Sequence, residues 1–223
     1  MFARISRRYD LMNTVMTMGM HGRWRRLAAK LAAERCAGAG LDVGTGTGKL
    51  AFELSKNTGI NQVVGLDFVP GMLAIARRGA AGPAAAKCRW VLGDAMALPF
   101  ADGAFACAVT GFAMRNVEDV GVVLRELARV VRMGGKVAIL EITPRDRPGR
   151  ITRWLRWYFR HVVPWLGGLL AGDRAAYTYL PRSVETFPSP QELAGIMERA
   201  GMEHVRWRSL GLGLVSLHVG EVS

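Results

Sequence analysis

The stretch Leu41-Asp42-Val43-Gly44-Thr45-Gly46-Thr47-Gly48-Lys49-Leu50 constrains the fold more than any other part of the chain. An apolar strand runs into three alternate glycines and leaves them as a helical pattern. Without a Cβ, glycine lets the backbone approach a ligand closely and turn where other residues resist. The amides that open the following helix then face whatever fills the gap. Such a junction makes a nucleotide-sized hole.

The same alternation recurs along the chain. A helix is expected from about 48 to 57, then a buried strand at Gln62–Asp67 that ends in an acid, then a helix opened by Pro70, where the missing N–H costs nothing. Cys88–Leu92, Ala104–Gly111 and Lys136–Thr143 read as further strands, the first of them ending at Gly93-Asp94-Ala95. Leu124, Leu127, Ala128 and Val131 share helical spacing, and Gly134-Gly135 is expected to stop that helix. A helix at about 190–200 and strands near 203–208 and 212–219 close the chain, while 79–87 reads as a surface connection. Residues 5–36 read as two helices split near Gly19 and Gly22, with Leu11, Val15 and Met18 on one and Trp24, Leu27, Ala28 and Leu31 on the other. These helices precede the first strand, at about 39–43, and are placed to cap a cleft; an insertion at about 144–180 follows the fifth strand. Strands alternating with helices predict an α/β fold with a doubly wound, mostly parallel sheet. Ligands in such sheets bind beyond the carboxyl ends of the strands.

A chain of 223 residues, half of them hydrophobic, suffices for one generous domain. The formal charge of +12 invites a nucleic-acid reading. Lysine, however, stands only at positions 30, 49, 56, 87 and 136, so the excess is arginine in a chain also crowded with alanine and glycine. Composition bias and a solvated surface account for that, and no nucleic-acid partner is expected. Cys36, Cys88 and Cys107 are isolated, with no C-x-x-C pair to suggest a metal or redox site. Arg4, Arg7, Arg8 and Asp10 interrupt the N-terminus, and no run of about 18 apolar residues offers a membrane span, so a cytoplasmic protein is expected.

Two nucleotides compete for the glycine loop. Gly46-x-Gly48-x-x-Ala51, with Asp67 downstream for a ribose, formally satisfies a dinucleotide fingerprint. Three features favour S-adenosylmethionine instead. Asp42 stands two residues before the first glycine, where a carboxylate can receive the donor's ammonium group, which NAD lacks. Asp67 offers acceptor oxygens to both ribose hydroxyls. Asp94 is placed to accept from the adenine amino group beside the Ala95 amide, although a turn cap is the plainer reading of Asp94 alone. Acid, triple glycine, acid and acid at successive strand ends resemble a class I methyltransferase.

A closer resemblance covers residues 8 to 220. Tyr9-Asp10-Leu11-Met12-Asn13 with His21 and Trp24, and Arg129-Val130-Val131-Arg132-Met133-Gly134-Gly135 running on to Leu140-Glu141-Ile142-Thr143, resemble the two signatures of the menaquinone and ubiquinone biosynthesis C-methyltransferases. Gly111-Phe112-Ala113-Met114-Arg115-Asn116, Tyr177-Thr178-Tyr179-Leu180-Pro181-Arg182-Ser183, Phe187-Pro188 and Leu217-His218-Val219-Gly220 resemble further elements of that family. Departures are small: Gly111 and Ala113 stand where the family often has Ser and Gly, Met133 and Thr143 where it has Pro and Ser, and Gly211-Leu212-Gly213 replaces a Gly-Gly pair. The resemblance implies a seven-stranded, Rossmann-like sheet and S-adenosylmethionine as cofactor. By the resemblance Thr47, Asp67, Asp94 and Ala95 occupy cofactor-contacting positions, and the loop and strand ends add Asp42, Gly44, Thr45, Gly46, Gly48, Phe68 and Gly111 to the candidate cofactor set.

The reaction it implies moves a methyl group onto a ring carbon of a prenylated hydroquinone, demethylmenaquinol or its benzoquinol equivalent. A hydroquinone hydroxyl is a phenol, with a pKa near the tyrosine value of about 10. Its deprotonation makes the ring nucleophilic, so the protein must supply a base or stabilise the phenolate. Arg115 and Asn116, just past the fourth strand, are the leading catalytic candidates; a pairing of Arg115 with Asp119 is the plainer alternative. His21 is the alternative base, its ordinary pKa lying near neutrality. Tyr9, Tyr177 and Tyr179 are candidates for the ring pocket. In the insertion, Ile151, Trp154, Leu155, Tyr158, Val162 and Trp165 fall on one helical face, and Arg150, Arg153, Arg156 and Arg160 elsewhere around it. A basic amphipathic helix of this kind suits an anionic membrane surface, with a packed cap helix as the alternative. An RNA methyltransferase would fit the charge, but no Asn-Pro-Pro-Tyr-like site or Pro-Cys nucleophile is present. An NAD-linked oxidoreductase would need a substrate domain for which 223 residues leave little room.

Overall fold

The structure, a computed structural model, describes residues 19–80, 82–144, 183–184 and 186–223. Tyr9, the more N-terminal of the two expected helices, Tyr177, Tyr179 and the basic aromatic stretch 150–165 lie outside them. Within them the elements run α1 (His21–Ala33), β1 (Gly38–Val43), α2 (Lys49–Ser55), β2 (Ile60–Asp67), α3 (Pro70–Gly79), α4 (Gly82–Ala86), β3 (Cys88–Leu92) and β4 (Phe105–Gly111). A 3₁₀ turn at Met114–Asn116 leads to α5 (Val120–Val130), β5 (Val131–Ile142), α6 (Pro190–Arg199), β6 (Met202–Leu210) and β7 (Val215–Val222).

The strands form one seven-stranded sheet in the order β3-β2-β1-β4-β5-β7-β6. Strands β1 to β5 pair in parallel, and β7 lies antiparallel between β5 and β6. The chain therefore winds outward from β1 in one direction and from β4 in the other. A crevice opens where those two neighbours send their loops apart.

Helices cover both faces, as a parallel sheet requires. On one face Trp24, Ala28, Ala29 and Ala32 of α1 and Leu50, Ala51 and Leu54 of α2 meet Val109, Leu140 and Leu217 of the sheet. Three alanines in a row of helical contacts let α1 lie close against the strands. On the other face Leu124, Leu127 and Val130 of α5 and Leu193 and Met197 of α6 meet Leu41, Ala108 and Ile139. Helix α5 begins where the Asp119 carboxylate accepts the Val122 amide at 3.0 Å, and α6 where Ser189 and Glu192 form a reciprocal capping box. All three cysteines are buried and none is in a disulfide.

Three boundaries differ from the sequence expectation. Gly22 lies inside α1. The surface connection after α3 contains the short helix α4. Helix α5 ends at Val130 without help from Gly134-Gly135, and the chain enters β5 at once. Those glycines serve the strand instead: Phe105 faces Val131 and Cys107 faces Lys136, so β5 carries an irregular stretch between them, after which regular pairing starts at Lys136. A Cβ on Gly135 would stand 2.6 Å from the Ala106 carbonyl oxygen and 2.8 Å from that of Arg132, so no other residue fits this bend.

His218 on β7 is fully buried, and its Nε2 donates to the Pro190 carbonyl at 2.8 Å, leaving Nδ1 without a partner. Burial pushes its pKa down to about 4, against the partial support of that hydrogen bond. The unfolded histidine titrates near 6.5, so the folded state resists a proton that the unfolded state accepts. The stability His218 contributes is whole above pH 6.5 and is lost as pH falls toward 4. Urea unfolding at pH 7.0 and pH 4.5 will show the wild type losing about 2–3 kcal/mol more than His218→Gln over that window. Equal losses would mean the buried imidazole does not govern acid stability.

Candidate functional site

The glycine loop is held open by contacts on three sides. Gly44, Gly46 and Gly48 have φ of 67°, 56° and 80°. A Cβ on Gly44 would stand 2.3 Å from the Ala113 Cβ, so the loops leaving β1 and β4 approach to a distance only glycine permits. The Thr45 amide donates to the Leu66 carbonyl at 2.9 Å, tying the loop to β2. Asp67, at the tip of β2, accepts the Gly46 amide at 2.7 Å and the Val69 amide at 2.9 Å, one on each carboxylate oxygen. An ionised carboxylate has about four acceptor sites, so both oxygens keep capacity for further donors. Burial raises the Asp67 pKa, with those amides pulling the other way.

Asp42 is more extreme. Its side chain is completely buried, and the Thr45 hydroxyl donates to Oδ2 at 2.6 Å while Oδ1 has no hydrogen-bond partner. Burial pushes its carboxyl up to about 7, opposed in part by the Thr45 hydrogen bond, the Ala51 amide and the charge of Arg25. A carboxylate left half-satisfied in the interior is costly unless a cation completes it. The sequence expected an ammonium ligand at this position, and the orphaned oxygen fits that expectation.

A cavity of about 280 Å³ opens beside the loop at the carboxyl ends of the strands. Gly44, Gly46, Asp67, Phe68, Asp94 and Ala95, all expected in the cofactor site, line it. Asp94 also accepts the Met96 amide at 2.9 Å, so the turn-cap role and the cavity position are held together. A smaller recess adjoins it, lined by Asp42, Thr45, Thr47 and Gly111 from the expected set and by Arg25 and Lys49. Gly48 lines neither; it precedes α2, its amide donating to the Thr45 carbonyl at 2.9 Å. Half-partnered acid, glycine cradle and two further acids on successive strand ends together suit S-adenosylmethionine. Asp42 would hold the ammonium, Asp67 the ribose and Asp94 the adenine.

The catalytic candidates separate. Asn116 lines the cavity wall, but Arg115 does not. Arg115 is held by partners: Nε donates to Glu141 at 2.6 Å and Nη1 to the Ser183 hydroxyl at 3.1 Å, in surroundings that leave its side chain 5% exposed. Glu141, wholly buried on β5, requires a cation, and Arg115 is the residue that reaches it. Asp119 caps α5 instead of pairing with Arg115. His21 opens α1, and its Nδ1 receives a hydrogen bond from Arg25. Arginine only donates, so the His21 ring proton sits on Nε2 and the nitrogen with the free pair is already in use.

Two residues here escaped the sequence reading. Arg25 was one arginine among many on an amphipathic helix. Thr110, in the otherwise apolar strand β4, is buried with its hydroxyl unpartnered and lines the cavity. Its signal was a lone hydroxyl in Phe105-Ala106-Cys107-Ala108-Val109-Thr110. No group of metal-ligating side chains occurs among the described residues.

Known proteins resemble this chain along nearly its whole length. A demethylmenaquinone methyltransferase of Thermus thermophilus is 44% identical over 221 residues, covering 99% of both chains. A ubiquinone/menaquinone biosynthesis C-methyltransferase UbiE of Desulfotalea psychrophila is 40% identical, covering 99% of this chain and 88% of that one. Among solved structures, an S-adenosylmethionine-dependent methyltransferase of Thermotoga maritima has a TM-score of 0.69 at 19% identity, covering 100% of this chain and 98% of that one, a likeness of fold. The ubiE/COQ5 methyltransferase family matches residues 1–222, and with S-adenosylmethionine as its cofactor the chain belongs to that family.

Proposed function

We propose that this chain methylates a ring carbon of a reduced, prenylated quinone, a demethylmenaquinol or the corresponding benzoquinol. The observation that carries the donor half is Asp42, buried in the recess that adjoins the cavity with one oxygen lacking a hydrogen-bond partner. Family membership carries the acceptor half.

Bound in this cavity, S-adenosylmethionine supplies an electrophilic methyl group on a sulfonium. The protein's own part is to fix the reacting groups, an effect with an upper range of roughly 7–11 kcal/mol. Phe112, Met114 and Val117 on one wall and Met72 and Met96 on the other give the cavity an apolar lining that excludes water. The hydroquinone must also be favoured as its phenolate. Asn116 is the polar side chain that the turn after β4 brings to the wall, and its amide N–H is our candidate donor to that oxygen. Arg115, locked onto Glu141, acts as a positioning residue that holds this turn. His21 is left a structural part of α1.

Incubation with labelled S-adenosylmethionine and each reduced, demethylated quinone will place label on at least one ring. Asn116→Ala will lower kcat about 10²-fold or more while S-adenosylhomocysteine affinity is retained. Label on neither quinone would overturn the substrate; equal loss of kcat and affinity would move Asn116 to the cofactor.

The Asp42 pKa gives a second test. With the carboxyl half-ionised at about 7, cofactor binding selects the charged form. S-adenosylhomocysteine affinity will rise between pH 5.5 and 7.5 with uptake of the ligand coupled to proton release. Asp42→Asn will bind weakly with no such rise; a wild-type affinity flat across that range would remove Asp42 from the site.

Among the described residues no helix is long and apolar enough to cross a membrane. We further propose that the stretch 150–165, outside those residues, docks on an anionic membrane surface and admits the prenyl tail, its alternating arginines and tryptophans being the support. Vesicles containing anionic lipid will float the enzyme, and replacing Arg150, Arg153, Arg156 and Arg160 by Gln will abolish flotation. Absence of flotation in the wild type would reject membrane docking.

A further inference from the structure

The connection from β3 to β4 differs from the other parallel crossovers of the sheet. It must pass over β2 and β1, yet residues 93–104 contain no helix, whereas α2, α3 with α4, and α5 serve the other crossings. Without a helix its amides and carbonyls must find partners elsewhere. Arg129, in the last turn of α5, supplies several of them. Its Nε donates to Glu126 at 2.8 Å, Nη1 to the Phe100 carbonyl at 2.8 Å and to Asp102 at 2.7 Å, and Nη2 to the Leu98 carbonyl at 3.0 Å and to Glu126 at 2.8 Å. A guanidinium has five N–H donors, and these contacts use every one. The crossover's amides are answered as well: Glu126 accepts the Leu98 amide at 2.7 Å, and the Arg129 carbonyl accepts the Gly103 amide at 2.9 Å.

This crossover begins with Asp94, Ala95 and Met96, which line the cavity. Asp94 is exposed, so burial does not fix its side chain. Its carboxylate is oriented by the Met96 amide at 2.9 Å, and the Ala97 amide closes the turn onto the Asp94 carbonyl at 3.3 Å. The turn is thus a unit, and what holds its two ends decides where it stands. On one side the Gly93 amide donates to the Asp67 carbonyl at 3.2 Å, tying it to β2. On the other side stand the contacts of Arg129 and Glu126 at Leu98. Arg129 itself is no part of the cavity wall. Its side chain is 33% exposed, so its ion pairs add little stability. Binding two backbone carbonyls in a rigid fork makes it a device of position instead.

We propose that Arg129 is the positioning residue for the adenine end of the site. By holding the crossover at Leu98 and Phe100 it sets the Asp94 turn where the carboxylate meets the exocyclic amino group, and so governs the choice of adenine over a purine without that donor. This deepens the cofactor reading and rests on its assignment of Asp94 to adenine.

Calorimetry with S-adenosylhomocysteine and S-inosylhomocysteine, in which an oxo group replaces the amino group, tests it. The wild type will prefer the adenine ligand by about tenfold or more, as expected for a hydrogen bond to a charged group. Arg129→Met will bind the two about equally, by losing affinity for the first. Arg129→Lys, which keeps the charge but loses the fork, will retain part of the preference, and it carries the test if Arg129→Met does not fold. A preference of wild-type size in either variant overturns the role of Arg129 and leaves Asp94 in place. An equal loss of affinity for both ligands also overturns it, showing Arg129 to be a support of the fold. A wild type that binds S-adenosylhomocysteine without preferring it rejects the assignment of Asp94 and the proposal with it.

Discussion

The site depends on a carboxylate that the protein desolvates and then leaves half-satisfied. Asp42 sits at the end of a central strand with neighbours on both sides, Gly65 on β2 and Val109 on β4, so it cannot swing out to water. Thr45 offers it one hydroxyl from within the glycine loop. That contact makes the loop's shape and the acid's orientation one arrangement: the residue that follows Gly44 is the residue that steadies Asp42. The remaining oxygen has no hydrogen-bond partner, and on the reading proposed above a ligand's ammonium group would meet it with binding free energy that a solvated acid could not supply.

The other polar groups are placed by the same topology. Asp67 and Asp94 follow β2 and β3 because the chain winds that way from β1, whereas the turn bearing Asn116 follows β4 on the opposite side of the crevice. The Arg115–Glu141 pair ties that turn to β5, the next strand outward. Glu141 also accepts the Arg115 and Ile142 amides, so the pair is hydrogen-bonded as well as ionic. Buried pairs of this kind add little over an apolar core, but removing one partner costs about 3–5 kcal/mol. The interaction therefore specifies where the turn goes more than it stabilises the sheet.

Much of this was legible in residues read singly. The three acids at strand ends and the alternate glycines fall where local pattern dictates, because a parallel sheet leaves its ligand groups at the carboxyl ends of strands. What local pattern cannot show is which side chains meet across the fold. Glu141 read as part of a signature strand, and nothing near it in sequence announces that Arg115, 26 residues earlier, would be drawn to it. Arg25 was hidden similarly: its helix has a clear apolar stripe at Trp24, Ala28 and Ala32, and an arginine beside such a stripe ordinarily points to solvent. Gly134-Gly135 misled for a different reason. Glycine after a helical pattern is a common stop, yet here the helix had already ended and the strand needed a residue without a Cβ.

Burying Arg115 also has an electrostatic logic. The donor's sulfonium is a fixed positive charge, and two like charges about 6 Å apart at an effective dielectric near 20 repel by roughly 3 kcal/mol. An uncompensated guanidinium on the cavity wall would oppose the methyl donor while favouring the phenolate. Pairing Arg115 with Glu141 removes that conflict and leaves a neutral amide, Asn116, at the wall. An amide dipole can stabilise developing negative charge on the acceptor's oxygen without imposing a net charge on the donor. Among the described residues that line the cavity none carries a positive charge, and the space can hold a sulfonium beside an apolar ring.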